Sequence, residues 1–407
     1  MPLYEIWKKP STIFEDESKL SVEYVPNELP HREAQLTQLA EMFRSVVQSP
    51  GSVSIKVILT GPVGTGKTAV SKYFGIQLER FSARESLGIR YVHVNCHKDR
   101  TLFLMMKHVT EQLNIPIPRR GFSSRELMNI LWSSLENKDQ YLVLTIDEAD
   151  YLVLSSGSEA LYDLSRVLDE YIRGKARMSF IFVFRDISRL NLLEEGVRSS
   201  LMHNIIRFNP YTSQEIIDIL KGRVKEGALK PNALSDEALE LIGELTGVDK
   251  GGRGDARQAL EILWRAGKYA EREGARFIAT EHVRKAYSDI YPSLSSTILE
   301  ALRTHELLLL LSIARVLRRI GRKEVGLGEV EREYRSICEQ LGERPRGHTK
   351  VWEYTRNLSN IGLITTRISG PGRRGKTTLI GVPSVPVEAL EKEVSLRVKQ
   401  LIRTQRG

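Results

Sequence analysis

Residues 61–68, GPVGTGKT, have the types and spacing that hold a polyphosphate. Gly64 and Gly66, flanking Thr65, let backbone N–H groups turn inward around phosphate oxygens. A helix opening at this point adds a partial positive charge. The Lys67 ammonium suits the β- and γ-phosphates, and the Thr68 hydroxyl suits Mg²⁺. Further along, LVLTIDE at 142–148 is an apolar run ending in two acids. Asp147 would hold the Mg²⁺ shell, and Glu148 would orient and polarise an attacking water. Two acids also cap many ordinary strands, so it is the phosphate loop upstream that favours nucleotide chemistry. GDAR at 254–257 places Arg257 in the first turn of a helix, where the dipole disfavours a cation. Two readings stay open: contact with a γ-phosphate, or a surface pair with Glu261 one turn on, worth about 0.2–0.5 kcal/mol.

A second set of residues suits a nucleic acid. Thr349, Lys350, Tyr354, Arg356 and Asn357 fall on non-core positions of a helix expected over 348–361, with Val351, Leu358 and Ile361 facing inward. Arg344 and Arg346 precede it and suit backbone phosphates. Downstream, GPGRRGK at 370–376 puts Arg373, Arg374 and Lys376 on a Gly-rich tip able to enter a minor groove. A solvated tip is the plainer alternative, and winged helices also serve as protein-contact modules. Trp352 and Tyr354 read as packing residues rather than base stackers. In PRRG at 118–121, Arg119 and Arg120 fit a solvated loop and a DNA contact equally well.

The elements that position these residues are legible as alternating patterns. Short apolar runs at 55–60, 91–95, 142–146, 180–184 and 205–208 are separated by helical stretches. That order implies βαβ units feeding a parallel sheet covered on both faces. Helical patterns follow at 213–226, 235–245, 254–273 and 280–288, forming a small all-helical domain. Helices over 296–320, 328–341 and 348–361, strands over 363–368 and 377–382, and a last helix from Val387 give the winged-helix order. The expected fold is therefore an α/β P-loop ATPase with a helical lid and a winged-helix domain. The boundaries are 1–208, 209–292 and 293–407, and residues 1–30 read as an extended lead-in.

Composition supports the division. From Ser293 onward there are 21 Lys and Arg against 12 Asp and Glu, while residues 1–292 hold 39 of each. The whole excess of +9 thus lies in the last domain, which suggests a polyanionic partner. No apolar run reaches membrane-spanning length and no signal-peptide core precedes residue 30, so no membrane role is expected. Two distant cysteines suggest neither a disulfide framework nor a CxxC zinc site, and they fit a reducing cytosol.

These motifs together resemble the archaeal origin-recognition and cell-division-cycle initiator family, relatives of the eukaryotic origin recognition complex. The marks are YVPNELPHRE at 24–33, the phosphate loop, DEAD at 147–150, VRSSL at 197–201, GDAR at 254–257 and the winged helix. The resemblance implies ATP or ADP with Mg²⁺ as cofactors, and Val25, Pro26, His31 and Arg32 around the adenine. It also implies Arg257 as a lid sensor of the γ-phosphate, and an inserted DNA-contacting helix between Arg100 and Ser124. The implied function is ATP-dependent binding of double-stranded origin DNA and recruitment of the ring-shaped minichromosome maintenance helicase. Paralogous initiators would occupy adjacent sites. Two positions depart from the family pattern. Arg185 stands where an asparagine ends the fourth strand, and Gly196 stands where an arginine is offered to a neighbour's nucleotide, with Arg198 two residues on. An arginine cannot accept a proton, so tight nucleotide binding with slow turnover is expected. A DNA-binding regulator without helicase loading is the alternative. A vigorous remodelling motor is disfavoured by Gly196.

Overall fold

The computed structural model describes residues 10–117, 121–157, 161, 164, 175–186, 195, 198, 201–290, 299, 301–322, 324–368, 377–382 and 387–406. These form two compact units, one of Val22–Tyr211 with Lys221–Glu226, the other of the remaining described residues.

The first unit is built on β1 (Lys56–Thr60), β2 (Ile89–Asn95), β3 (Tyr141–Asp147), β4 (Met178–Phe184) and β5 (Ile205–Arg207). All pair in parallel in the order β2-β3-β4-β1-β5. Every residue of β3 and β4 is buried, and successive side chains enter opposite cores. Leu142, Leu144, Ile146, Phe180, Phe182 and Phe184 join one hydrophobic cluster; Tyr141, Val143, Ile181 and Val183 join the other. That is the period-2 geometry of a strand covered on both faces. One layer uses α1 (Glu33–Met42), α2 (Arg44–Gln48) and α3 (Lys67–Glu85), whose Leu39, Val46, Val70 and Phe74 fill it with Phe43, which joins α1 to α2. The other uses α4 (Leu102–Gln112), α5 (Ser124–Asn137) and α6 (Ala149–Ser156). Ser123 caps α5 in a reciprocal box with Glu126. Helix α3 lies close to the sheet because Gly75 has no side chain; a Cβ there would stand 2.1 Å from the Tyr91 ring.

The helical domain is made by α7 (Ser213–Lys225), which the second unit holds as far as Leu220, with α8 (Asp236–Thr246), α9 (Ala256–Arg272) and α10 (Thr280–Ile290). Within the expected extended lead-in of 1–30, residues 11–20 are instead part of this core. Ile13 and Phe14 are buried, Phe14 bridges Leu229, and its ring occupies the space a Cβ on Gly267 would need. Ser11 bonds Glu271, and Glu17 receives Trp264 Nε1 at 3.0 Å and the Lys268 ammonium.

The same unit holds α11 (Thr304–Ile320), β6 (Val325–Gly326), α12 (Leu327–Leu341), α13 (His348–Asn360), β7 (Thr365–Ile368), β8 (Thr378–Gly381) and α14 (Val387–Arg406). The strands pair antiparallel in the order β6-β8-β7. The helix expected over 296–320 is interrupted: Leu299 and Ala301 are helical, Leu302 and Arg303 are not, and α11 begins at Thr304, while residue 296 lies outside the described residues. Two residues before α12 add a third strand. On α13, Val351 and Leu358 are buried as the spacing predicts, but Ile361 is 49% exposed. The helix has ended by then: Ile361 N–H caps onto the Asn357 carbonyl, and Gly362 turns away at φ 77°. Thr355 completes the inward stripe at 2% exposure. Among the described residues no helix is long and apolar enough to cross a membrane.

Candidate nucleotide site and DNA-facing helix

The phosphate loop leaves β1 and opens α3. Its turn needs left-handed backbone at Gly64 (φ 76°) and Gly66 (φ 90°), where glycine is unstrained. Thr65 is fully buried and Lys67 is 7% exposed. The Lys67 ammonium donates to the carbonyls of Gly61 (2.6 Å) and Pro62 (2.5 Å), at the mouth of the loop.

Strand order brings the acids to this loop. Strands β1 and β3 flank β4, so their C-terminal ends converge around the end of β4. Thr68 Oγ1 donates to Asp147 Oδ2 at 2.8 Å, and Asp147 Oδ1 accepts the Glu148 N–H at 2.8 Å. His93, on β2, holds its Nε2 3.4 Å from the same Oδ2. Burial pushes the Asp147 carboxyl up, but His93, Thr68 and the Glu148 N–H outweigh it and hold it below its ordinary value. Asp147 is therefore an ionised oxygen donor beside a hydroxyl, a pair that fits a hard divalent cation.

Glu148 adopts left-handed backbone (φ 54°) as it caps α6. The Arg185 guanidinium, at the end of β4, forms an ion pair with Glu148 Oε1. Arg185 N–H donates to Asp150 Oδ2 at 2.8 Å, and its Cζ lies 5.2 Å from the Tyr151 ring centre. Burial lowers the Arg185 pKa, but the Glu148 contact more than compensates and leaves it raised. The residue that departs from the family pattern thus sits on the candidate catalytic acid.

In the 24–33 segment, Val25 and His31 are half-buried and Pro26 is buried. Tyr24 donates its hydroxyl to Glu226 Oε2 at 2.7 Å, and Asn27 N–H donates to Glu226 Oε1 at 2.8 Å. Arg32 is 4% exposed and turns toward the loop backbone, donating to Thr65 O at 2.9 Å. In the other unit, Arg257 stands exposed in the first turn of α9, which Asp255 caps. Glu261 pairs instead with Arg265 at 2.7 Å.

On the winged helix, Arg344, Arg346, Thr349, Lys350 and Arg356 are all exposed. Lys350 Nζ is 2.7 Å from Glu353 Oε2, which partly neutralises it. Trp352 packs at the edge rather than in the core: it is 47% exposed, with Arg356 Cζ 5.9 Å from its ring centre. Tyr354 is half-buried and lies parallel to His305 at 6.3 Å. Asn357 donates to Glu306 at 2.8 Å. Arg119, Arg120, Arg373, Arg374, Lys376 and Gly196 lie outside the described residues; Arg198 is helical and half-buried.

Comparison with known proteins decides what this arrangement belongs to. The family profiles of an AAA domain, the Cdc6 AAA+ ATPase-type lid domain and the CDC6 C-terminal winged helix domain match residues 56–192, 217–288 and 297–392. The ORC1-type DNA replication protein 2 of Sulfurisphaera tokodaii is 40% identical over 404 residues, 98% of this chain and 96% of that protein. The chain belongs to the ORC1/Cdc6 family of DNA replication proteins. Solved relatives share the ORC1/Cdc6 fold. Cdc6p from Pyrobaculum aerophilum is 33% identical with TM-score 0.65, covering 96% of this chain and 100% of that one. The Aeropyrum pernix ORC2 protein in ADPNP–ADP complexes is 27% identical with TM-score 0.66, covering 96% and 100%. The Aeropyrum pernix ORC1 protein in complex with DNA is 28% identical with TM-score 0.65, covering 97% and 100%. The chain is thus an ORC1/Cdc6-type replication initiator with an AAA+ ATPase domain and a winged-helix DNA-binding domain.

Sequence reasoning did not single out His93, Tyr151 or Tyr211 in this ORC1/Cdc6 chain. The alternation in YVHVN puts His93 on one face of β2, but its approach to Asp147, 54 residues further on, depends on the pairing of β2 with β3.

Proposed function

We propose that this protein binds ATP with Mg²⁺, binds double-stranded origin DNA in that state, and recruits the replicative minichromosome maintenance helicase. One observation carries the proposal. A single chain joins a phosphate loop whose Thr68 hydroxyl faces Asp147 to a winged-helix domain holding the whole positive excess. The domains are read as 1–208, 209–292 and 293–407.

Gly64, Thr65, Gly66 and Lys67 surround the phosphates; Val25, Pro26 and His31 lie toward the base; Thr68 and Asp147 hold the cation. Bound Mg²⁺ would neutralise charge on the phosphate oxygens. Glu148 orients water, and Arg257 supplies a cation to the γ-phosphate, a reading favoured because Glu261 is engaged by Arg265. With Glu148 ion-paired to Arg185, the water-orienting carboxylate is partly neutralised, so turnover is slow and the nucleotide acts as a conformational ligand. DNA contacts come from Arg346, Thr349, Lys350 and Arg356, from Arg373, Arg374 and Lys376 at the wing, and from Arg119 and Arg120. The DNA-complexed Aeropyrum pernix ORC1 relative supports the DNA partner. A paralogue that regulates without loading helicase is the second reading, favoured by the Arg185–Glu148 pair.

The test is fluorescence anisotropy with duplex DNA across a salt series, comparing wild type with the combined Arg373→Ala, Arg374→Ala, Lys376→Ala variant. A wild-type slope that becomes shallower by about one unit per lost phosphate contact supports the reading; identical slopes contradict it. A helicase pull-down with DNA and a non-hydrolysable ATP analogue separates initiator from regulator.

A further inference from the structure

Arg32 belongs to the segment that the family resemblance lays over the adenine, yet its side chain is spent elsewhere. Its Nε donates to Thr65 O at 2.9 Å, Nη2 to Asn209 O at 2.9 Å and Nη1 to His31 O at 2.6 Å. Its Cζ lies 3.7 Å from the centre of the Tyr211 ring and 5.7 Å from that of Phe208. The guanidinium is only 4% exposed as part of its residue, and a planar fork of fixed donors suits simultaneous bonds to separate carbonyls.

The chain at 208–211 also meets the phosphate loop directly at both ends. A Cβ on Gly61 would stand 2.2 Å from Phe208 O, and one on Gly66 would stand 2.5 Å from the Tyr211 hydroxyl. Phe208 N–H donates to Thr60 O at 2.8 Å, continuing the β1–β5 ladder to the threshold of the loop. Arg32 adds the contact between those ends. A trans peptide points its C=O and N–H in opposite directions. Holding the Thr65 carbonyl outward therefore aims the Gly66 N–H to the opposite side, as a phosphate cradle requires.

We propose that Arg32 is a positioning residue that braces the phosphate loop against Asn209 and Tyr211, and that it reads no base. The inference rests on the nucleotide-binding reading above. Its consequence is that Arg32 governs affinity for any polyphosphate, with or without a base. Asn209 and Tyr211 are the last residues before the chain passes at Thr212 into the second unit, so the brace also ties the loop to the start of that connection.

The experiment is isothermal titration of the full chain with MgATP, MgGTP and inorganic tripolyphosphate, for wild type, Arg32→Lys and Tyr211→Leu. Lysine keeps the charge but cannot span the carbonyls; leucine keeps an apolar group but removes the ring and hydroxyl. The brace predicts that each variant weakens all three ligands by about the same factor, on the order of 10-fold. The ATP-to-GTP ratio and the binding stoichiometry stay at their wild-type values. A lower stoichiometry at unchanged affinity would mean lost fold rather than a lost brace, and would overturn the proposal. So would an altered ATP-to-GTP ratio with tripolyphosphate binding intact, which is the signature of a base contact. Three unchanged affinities would overturn it equally. A wild type that binds none of the ligands would sink the nucleotide reading itself.

Discussion

Asp147 and Arg356 each carry a charge that the proposed function uses, in opposite settings. Asp147 is 1% exposed at a strand end, held by the Thr68 hydroxyl, the Glu148 N–H and the nearby His93 ring. Arg356 stands exposed on a helix face, its guanidinium 5.9 Å from the Trp352 ring. In the first setting the groups are oriented before any ligand arrives and are shielded from salt. In the second, water and ions solvate the charge until a phosphate displaces them. Loss of one partner should therefore nearly abolish nucleotide binding, whereas loss of one DNA contact should give a graded, salt-dependent decline.

The largest expected effect is at the phosphate loop. Lys67→Ala should weaken MgATP at least about 100-fold, the scale of lost charge-assisted bonds to phosphate. A fluorescent-nucleotide titration measures this, and DNA affinity without nucleotide should be unchanged. A change of a few-fold would break the contrast. Next is Leu358→Ala, which empties a fully buried position on the inward side of α13, the helix proposed to meet DNA. It should cost about 2–5 kcal/mol in denaturant unfolding of the winged helix, abolishing DNA binding while nucleotide affinity holds. Smaller again is Arg356→Ala: the salt slope of DNA binding should fall by about one unit, and Lys350→Ala should change it less because Glu353 already engages that ammonium. Equal slopes for Arg356→Ala and wild type would remove this helix from the interface.

The smallest effect is a pH dependence at His305. Burial, then the Arg346 charge, lower its pKa from the ordinary 6.5. The folded chain therefore prefers the neutral ring, whose Nδ1 lies 2.8 Å from the Tyr334 hydroxyl. The related stability is full above the unfolded value and is lost as pH falls through 6.5 toward the folded value. The melting temperature of wild type should drop between pH 7.5 and pH 5.5 by about 1–2 °C more than that of His305→Gln. Parallel profiles would show that the ring titrates freely.

The same contrast explains what the sequence made legible. Parallel strands buried on both faces appear as unbroken apolar runs, so β1, β3 and β4 could be read nearly to their ends. The phosphate loop was legible because its chemistry demands glycines at fixed spacing. What escaped depends on contacts distant in sequence. Residues 11–20 have too few apolar positions to show a period, yet Phe14 completes a core through Gly267. Strand β6 is two residues long and exists only through its pairing with β8. Ile361 continues the apolar spacing of α13, but Gly362 ends the helix first. Arg32 carries a charge that its motif assigns to a ligand, and only the folded chain reveals the carbonyls that claim it. The Arg185 substitution was visible as a departure, while its partner, Glu148, required the convergence of β3 and β4.

The measurement that bears most directly on the account is multiple-turnover ATP hydrolysis by wild type, Arg185→Asn and Arg185→Asn with Glu148→Gln. If Arg185 restrains the carboxylate, the single variant should turn over about 10-fold faster, the scale of about 1.4 kcal/mol in the barrier. The added Glu148→Gln should abolish that gain. Hydrolysis at one rate in wild type and Arg185→Asn would contradict a restrained Glu148, and with it the reading of the nucleotide as a slowly consumed conformational ligand.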